Sequence, residues 1–196
     1  MNQIYFATTN KGKVNSVSTA LSKHGIEVIH YPLELPEPRS DDLREIVREK
    51  VLFAYGKIRR PCIALDSGFY VNSLNGFPKA YVNFALGTIG IDGILKLVDG
   101  KPRDCEFRNC LAYLDATLSE PVYFESNVEG LLSDFPRGEM QDYYWSELFL
   151  VFIPKGASKT LAEMTFEEYQ EWRNQRYKDS FATKFAEWIS QRQQRA

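Results

Sequence analysis

Gln3-Ile4-Tyr5-Phe6-Ala7-Thr8-Thr9-Asn10-Lys11-Gly12-Lys13 is the stretch from which the architecture of this chain is read. Its first five residues, apolar or aromatic from Ile4 to Ala7, suit a buried strand. Thr8-Thr9-Asn10 follows with turn and cap chemistry. From Lys11 onward Val14, Val17, Ala20 and Leu21 recur at three- and four-residue intervals, the period of a helix. Gly25 ends that helix, and Ile26-Glu27-Val28-Ile29 reads as a second strand. A strand running straight into a helix and then into a strand is the opening of an α/β protein.

Beyond this unit, Leu33 to Pro38 is proline-rich and extended, and Ser40 is expected to cap a helix with Asp41 and Asp42 in its first turn. Leu43, Ile46, Val47, Val51, Ala54 and Ile58 carry its apolar stripe. A strand over Cys62 to Leu65 comes next, broken at its carboxyl end by Asp66-Ser67-Gly68 before Phe69-Tyr70-Val71. Short helical stretches end near Ile91 to Val98. Two long extended runs, Cys105 to Leu114 and Pro121 to Val128, read as an antiparallel pair. Phe149 to Ile153 reads as another strand, and Phe166 to Gln191, with Tyr177 on its apolar side, as one long amphipathic helix. The sum is an α/β fold: a mixed β-sheet flanked by helices, in two lobes with a central cleft, forming a single domain over residues 1–196.

Composition narrows the function classes. The 24 basic and 26 acidic residues leave a formal net charge of −2, without the basic footprint that a protein gripping nucleic acid through phosphate charge requires. No apolar run approaches the ~20 residues that span a bilayer, and no secretory signal opens the chain, so a cytoplasmic protein without a membrane or nucleic-acid partner is expected. Cys62, Cys105 and Cys110 lack metal-ligand spacing and read as free core thiols. His24 and His30 are the only histidines, so acid–base chemistry falls to carboxylates, lysine or tyrosine.

Four constellations carry chemistry. Thr8-x-Asn10-x-x-Lys13 places two small polar residues and a lysine where a strand meets a helix N-terminus, an anion-binding arrangement; it reads equally as a cap with a solvated lysine. Lys50 falls inside the apolar stripe of its helix, so it either snorkels past the core rim or meets an anion. Glu37 lies between Pro36 and Pro38, and Asp66 at the carboxyl end of a strand, where open α/β sheets bind ligands. Two carboxylates near a phosphate site suit Mg²⁺, while Asp66-Ser67-Gly68 read alone is a turn. Tyr143-Tyr144-Trp145 beside Glu147 offers a slot for a base or, equally, core packing.

Taken together these residues resemble the inosine triphosphate pyrophosphatase family, enzymes acting on noncanonical purine nucleoside triphosphates such as ITP, dITP and XTP. The family's [Ser/Thr]-x-Asn-x-x-Lys signature is matched by Thr8 to Lys13. Leu35-Pro36-Glu37, Glu45-Ile46 with Lys50, Asp66-Ser67-Gly68, Leu74 to Tyr81, Pro136-Arg137-Gly138 and Leu161 to Met164 follow in the same order. The resemblance implies Mg²⁺-dependent hydrolysis of a nucleoside triphosphate to the monophosphate and pyrophosphate, in a homodimer. It gives Thr8, Asn10, Lys13 and Lys50 to the triphosphate, Glu37 and Asp66 to the metal, and Asp66 also to the attacking water as general base. Ser67 lines the same turn, and Tyr143 and Trp145 flank the base. Leu65 stands where the family has an acidic residue, Ser146 where it has a base-reading Asp, and its Ser-His-Arg element has Arg176 as nearest counterpart. A regulator or inactive relative that binds nucleotides without hydrolysing them is the alternative.

Overall fold

The computed structural model describes residues 2–194. The elements used below are β1 (Asn2–Ala7), α1 (Lys11–Ser22), β2 (Ile26–Tyr31), α2 (Leu43–Ile58), β3 (Cys62–Val71), β4 (Pro78–Lys79), α3 (Val82–Thr88), α4 (Gly90–Leu97), β5 (Asp104–Leu114), β6 (Val122–Leu132), β7 (Phe152–Pro154), α5 (Phe166–Gln175) and α6 (Phe181–Gln193). The sheet runs β2-β1-β3-β5-β6-β7, with β4 added to β3. β1 is parallel to β2 and to β3, whereas β3–β4 and β6–β7 are antiparallel. The mixed-sheet α/β expectation is met.

The chain divides into two compact units. The first comprises Met1–Asp66, Asn109–Ser126 and Tyr177–Ala196. In it β1 pairs with β2 from Asn2↔Ile26 to Ala7↔Tyr31, and Phe6, Leu21, Ile63, Leu111 and Phe185 fill the core. The second comprises Ser67–Arg108 and Asn127–Arg176. Its core gathers Phe69, Ile94, Phe107, Leu148, Phe149, Phe152 and Leu161.

Four local expectations are corrected. Asp42, not Ser40, is the N-cap of α2: its carboxylate accepts from the Arg44 amide at 2.8 Å, while Ser40 Oγ accepts from the Asp42 amide at 3.0 Å in the preceding turn. β3 is not broken at Asp66-Ser67-Gly68 but runs unbroken from Cys62 to Val71. Gly68 serves close approach, not a turn: a Cβ there would lie 2.7 Å from the Tyr70 ring and 2.9 Å from the Lys79 carbonyl on β4. Phe149 sits in a 3₁₀ turn, Glu147–Leu150, whose first residues are capped by Ser146 Oγ, so only Phe152–Pro154 is strand.

The tail, expected as one helix, is two. Thr165 and Glu168 form a capping box that opens α5, and a 3₁₀ turn at Tyr177–Asp179 closes it off before Ser180 caps α6 by accepting from the Thr183 amide at 3.1 Å. Its aromatics therefore divide: Tyr169 enters the second unit's core and Phe185 the first. The Tyr177 side chain, placed on the same apolar face by the sequence, lies outside the described residues. Among the described residues no helix is long and apolar enough to cross a membrane.

Candidate active site

The site is assembled inside the first unit, at the carboxyl end of β1. Where β1 stops, Thr8 Oγ1 accepts from the Asn10 amide at 3.1 Å, and Asn10 Oδ1 accepts from the Lys13 amide at 2.9 Å, capping α1. The turn is anchored to β2 twice: the Thr8 amide donates to the Tyr31 carbonyl, and His30 Nε2 donates to the Thr8 carbonyl at 2.9 Å. The turn that opens α1 is thus a helix N-terminus, whose dipole favours anions, with its Asn10 and Lys13 amides held by the Thr8 and Asn10 side chains.

Lys13 reaches from this first turn to the Leu65 carbonyl at 3.4 Å and to Asp66 Oδ1 at 3.7 Å. Burial pushes its pKa below the ordinary lysine value, and the neighbouring Lys50 ammonium pushes the same way; Asp66 works against both. Lys50 lies on the buried face of α2 with Ile46, Val47, Val51 and Ala54, and is 5% exposed. It neither snorkels nor waits for an anion, because it already has two: its Nζ is 3.0 and 2.9 Å from the two oxygens of Glu37 and 3.4 Å from Asp66 Oδ1. Asp66 is buried on β3, whereas the Glu37 side chain is 76% exposed.

Two ammonium groups therefore bear on one buried carboxylate, with the second carboxylate at the solvent edge. Removing such charges from water costs several kcal/mol per ion, and pairing often does no more than recover it. The arrangement is a poor way to stabilise a fold. It is a good way to hold an anion, because two ammonium groups converge where solvent screens weakly, while one of the two balancing carboxylates, Glu37, sits at the solvent edge.

The structure thus brings together Lys13, Lys50, Glu37 and Asp66, with Thr8 and Asn10 in the turn that starts α1. Ser67 follows Asp66 as the one half-buried residue in the otherwise buried β3. Glu37 and Asp66 contact the same ammonium, and their hard oxygens fit Mg²⁺, which takes one or two carboxylates and completes its shell with water and phosphate oxygens. Among the described residues no group of three or more His, Cys, Asp or Glu side chains gathers as a metal cage. Leu65 adds no carboxylate; its side chain packs in the first unit's core, and only its carbonyl enters the site. That carbonyl and His30 are the participants that sequence reading misses. The carbonyl has no sequence signal. His30 had one in the parallel pairing of β1 with β2, which puts it beside the end of β1.

Tyr143, Trp145 and Arg176 belong to the second unit. Trp145 stands edge-on to Phe107 and Phe149, at 5.2 Å from each centroid. Tyr143 contacts the rings of Tyr144, Phe166 and Tyr169. Both rings are partly buried against the unit's core. The Arg176 guanidinium donates to the Asn127 carbonyl at 2.7 Å. Ser146 serves as the cap of its 3₁₀ turn.

The three cysteines are buried and free, as the sequence suggests. Burial pushes the thiols of Cys62 and Cys110 up to about 12, which keeps them protonated and unreactive.

Residues 4–178 match the model of the Ham1 family, and the chain belongs to that family. It is 36% identical to a dITP/XTP pyrophosphatase of Methanopyrus kandleri over 95% of both chains. It is 37% identical to a dITP/XTP pyrophosphatase of Saccharolobus solfataricus, over 93% of this chain and 91% of that one. In fold it is similar to a HAM1 protein from Coxiella burnetii, with a TM-score of 0.76, 20% identity and full coverage of both chains.

Proposed function

We propose that this chain hydrolyses noncanonical purine nucleoside triphosphates, of the dITP, XTP and ITP kind, to the monophosphate and pyrophosphate. The observation that carries this reading is the convergence of Lys13 and Lys50 on the buried Asp66, with Lys13 in the first turn of α1. The naming of relatives that share a third of its residues over nearly the whole chain as dITP/XTP pyrophosphatases supports it.

In this reading Thr8, Asn10, Lys13 and Lys50 hold the triphosphate oxygens and offset their charge, which is most of what phosphoryl-group chemistry asks of a protein. Glu37 and Asp66 hold Mg²⁺, which when bound polarises the phosphate oxygens and neutralises charge that develops on them. Asp66 orients the attacking water and accepts its proton. The water oxygen bonds to the α-phosphorus, the bond from that phosphorus to the bridging oxygen breaks, and pyrophosphate leaves. Tyr143 and Trp145 are the side chains this reading gives to the base, with Arg176 as a candidate polar contact and Ser67 beside Asp66. The family likeness also supports a homodimer working in the cytoplasm; sedimentation velocity on the purified chain checks the dimer.

The test is a panel of nucleoside triphosphates (dITP, XTP, ITP, the common purines and the pyrimidines) with Mg²⁺, read by pyrophosphate release and paired with calorimetric binding. Turnover of dITP, XTP and ITP above the rest supports the proposal. Tight binding without product would favour the regulator reading, which draws on Leu65 having no carboxylate to offer.

A further inference from the structure

We propose that Lys50 is a positioning residue that holds the metal-binding carboxylates Glu37 and Asp66 until a polyphosphate takes its ammonium, so that metal and polyphosphate bind cooperatively. The inference rests on the assignment of these carboxylates to Mg²⁺ above.

The geometry is specific. Lys50 Nζ lies against both oxygens of Glu37 and Oδ1 of Asp66, the two carboxylates that would hold a divalent cation. A cation arriving alone meets an ammonium already seated on both carboxylates, so it binds against charge repulsion. Once displaced, that ammonium has nowhere favourable to go. Its stem is fixed on the buried face of α2 among Val47, Val51 and Ala54, and its exposure of 5% keeps water from solvating it. A buried lysine needs an anionic partner. A polyphosphate oxygen supplies one, and in doing so releases Glu37 and Asp66 to the metal. Each ligand removes a cost that the other would meet alone, which is positive coupling, and by linkage it acts equally in both directions. Lys13 shares this role weakly, since it stands farther from Asp66, at 3.7 Å, and has the Leu65 carbonyl as a second partner.

The experiment titrates Mg²⁺ into the full chain without nucleotide, by calorimetry, for the wild type and for Lys50→Gln and Lys50→Met. Both substitutions are expected to tighten metal binding by about ten-fold, within the range typical of coupled sites. Lys11→Gln, which removes an exposed charge from the start of α1, is expected to change it by less than about two-fold. In the wild type, saturating Mg²⁺ is expected to displace the Lys50 side-chain nitrogen resonance and to leave that of Lys11 in place. Unchanged or weaker metal binding in both Lys50 variants, or a Lys50 resonance indifferent to metal, overturns the proposal. If the wild type still hydrolyses its substrate in Mg²⁺, that failure leaves the function above intact. Absence of Mg²⁺ binding to every form, with turnover undiminished in chelator, would overturn the metal assignment and this proposal together.

Discussion

The ionic cluster of the first unit and the aromatic cluster of the second use buried side chains in opposite ways. Around Asp66, charged groups are taken out of water and left with partners a ligand can replace. Around Phe107, the rings of Phe69, Trp145, Phe149 and Phe152 stand 4.8 to 5.9 Å away, centroid to centroid, mostly edge-on, in a core that gains both area burial and ring–ring attraction. The first arrangement spends stability on reactivity and the second supplies it. Substitutions in the two places should therefore fail by different routes, and that separation is open to measurement.

The largest effect is expected for Asp66→Asn, which keeps the shape of the side chain but removes its negative charge and its capacity to accept the proton of water. Loss of general base catalysis alone is worth about 10² to 10⁴ in kcat, and the far-ultraviolet circular dichroism should stay that of the wild type. Next comes Phe107→Ala, on the other side of the comparison. A cavity in a core where Phe107 is 3% exposed should cost about 3–5 kcal/mol, read by denaturant unfolding. A comparable loss of stability in Asp66→Asn would blur the distinction between the two clusters.

Lys13→Met is expected to act on substrate affinity, raising KM by about ten-fold through the loss of one charge-assisted contact, while leaving the melting temperature near that of the wild type. The pH profile sharpens the same point. The Lys13 pKa is lowered, chiefly by burial, so kcat/KM should decline on the alkaline side at a pH below that at which an ordinary lysine loses its proton, and Lys13→Arg should move that limb upward. In the same window the unfolded chain holds the extra proton, so Lys13 makes stability rise, not fall, as pH approaches the ordinary lysine value of 10.5. The smallest effect belongs to His30→Gln. Gln donates to the Thr8 carbonyl as the histidine does, so KM should shift by less than about two-fold, whereas His30→Ala frees the turn and should raise it more.

Much of this was legible in the residues. The apolar period of α1 and α2 and the short runs of β1 and β2 specify the parallel core of the first unit, because burial of one face decides those elements. The candidate residues Lys13, Lys50, Glu37 and Asp66, which the structure brings together, were also readable, Lys50 because a lysine in an apolar stripe breaks the local rule. Asp66, however, was read at a strand end and lies in the middle of β3. The course of β3 was not readable. Gly68 signals a turn in sequence, yet here it answers the close approach of β4, a tertiary contact. The tail divided for a similar reason: the aromatic period runs through Phe166 to Trp188, and only the cap at Ser180 distinguishes one helix from two. That Lys50 bridges Glu37 and Asp66 could not be read at all, because it depends on where the extended 32–41 segment lies beside α2.

The measurement that bears most directly on the central claim is ³¹P NMR of dITP incubated with the wild-type chain and Mg²⁺. One equivalent each of deoxyinosine monophosphate and pyrophosphate, formed together, is the predicted result. Orthophosphate as first product, or an unchanged triphosphate spectrum with folded protein, would contradict it.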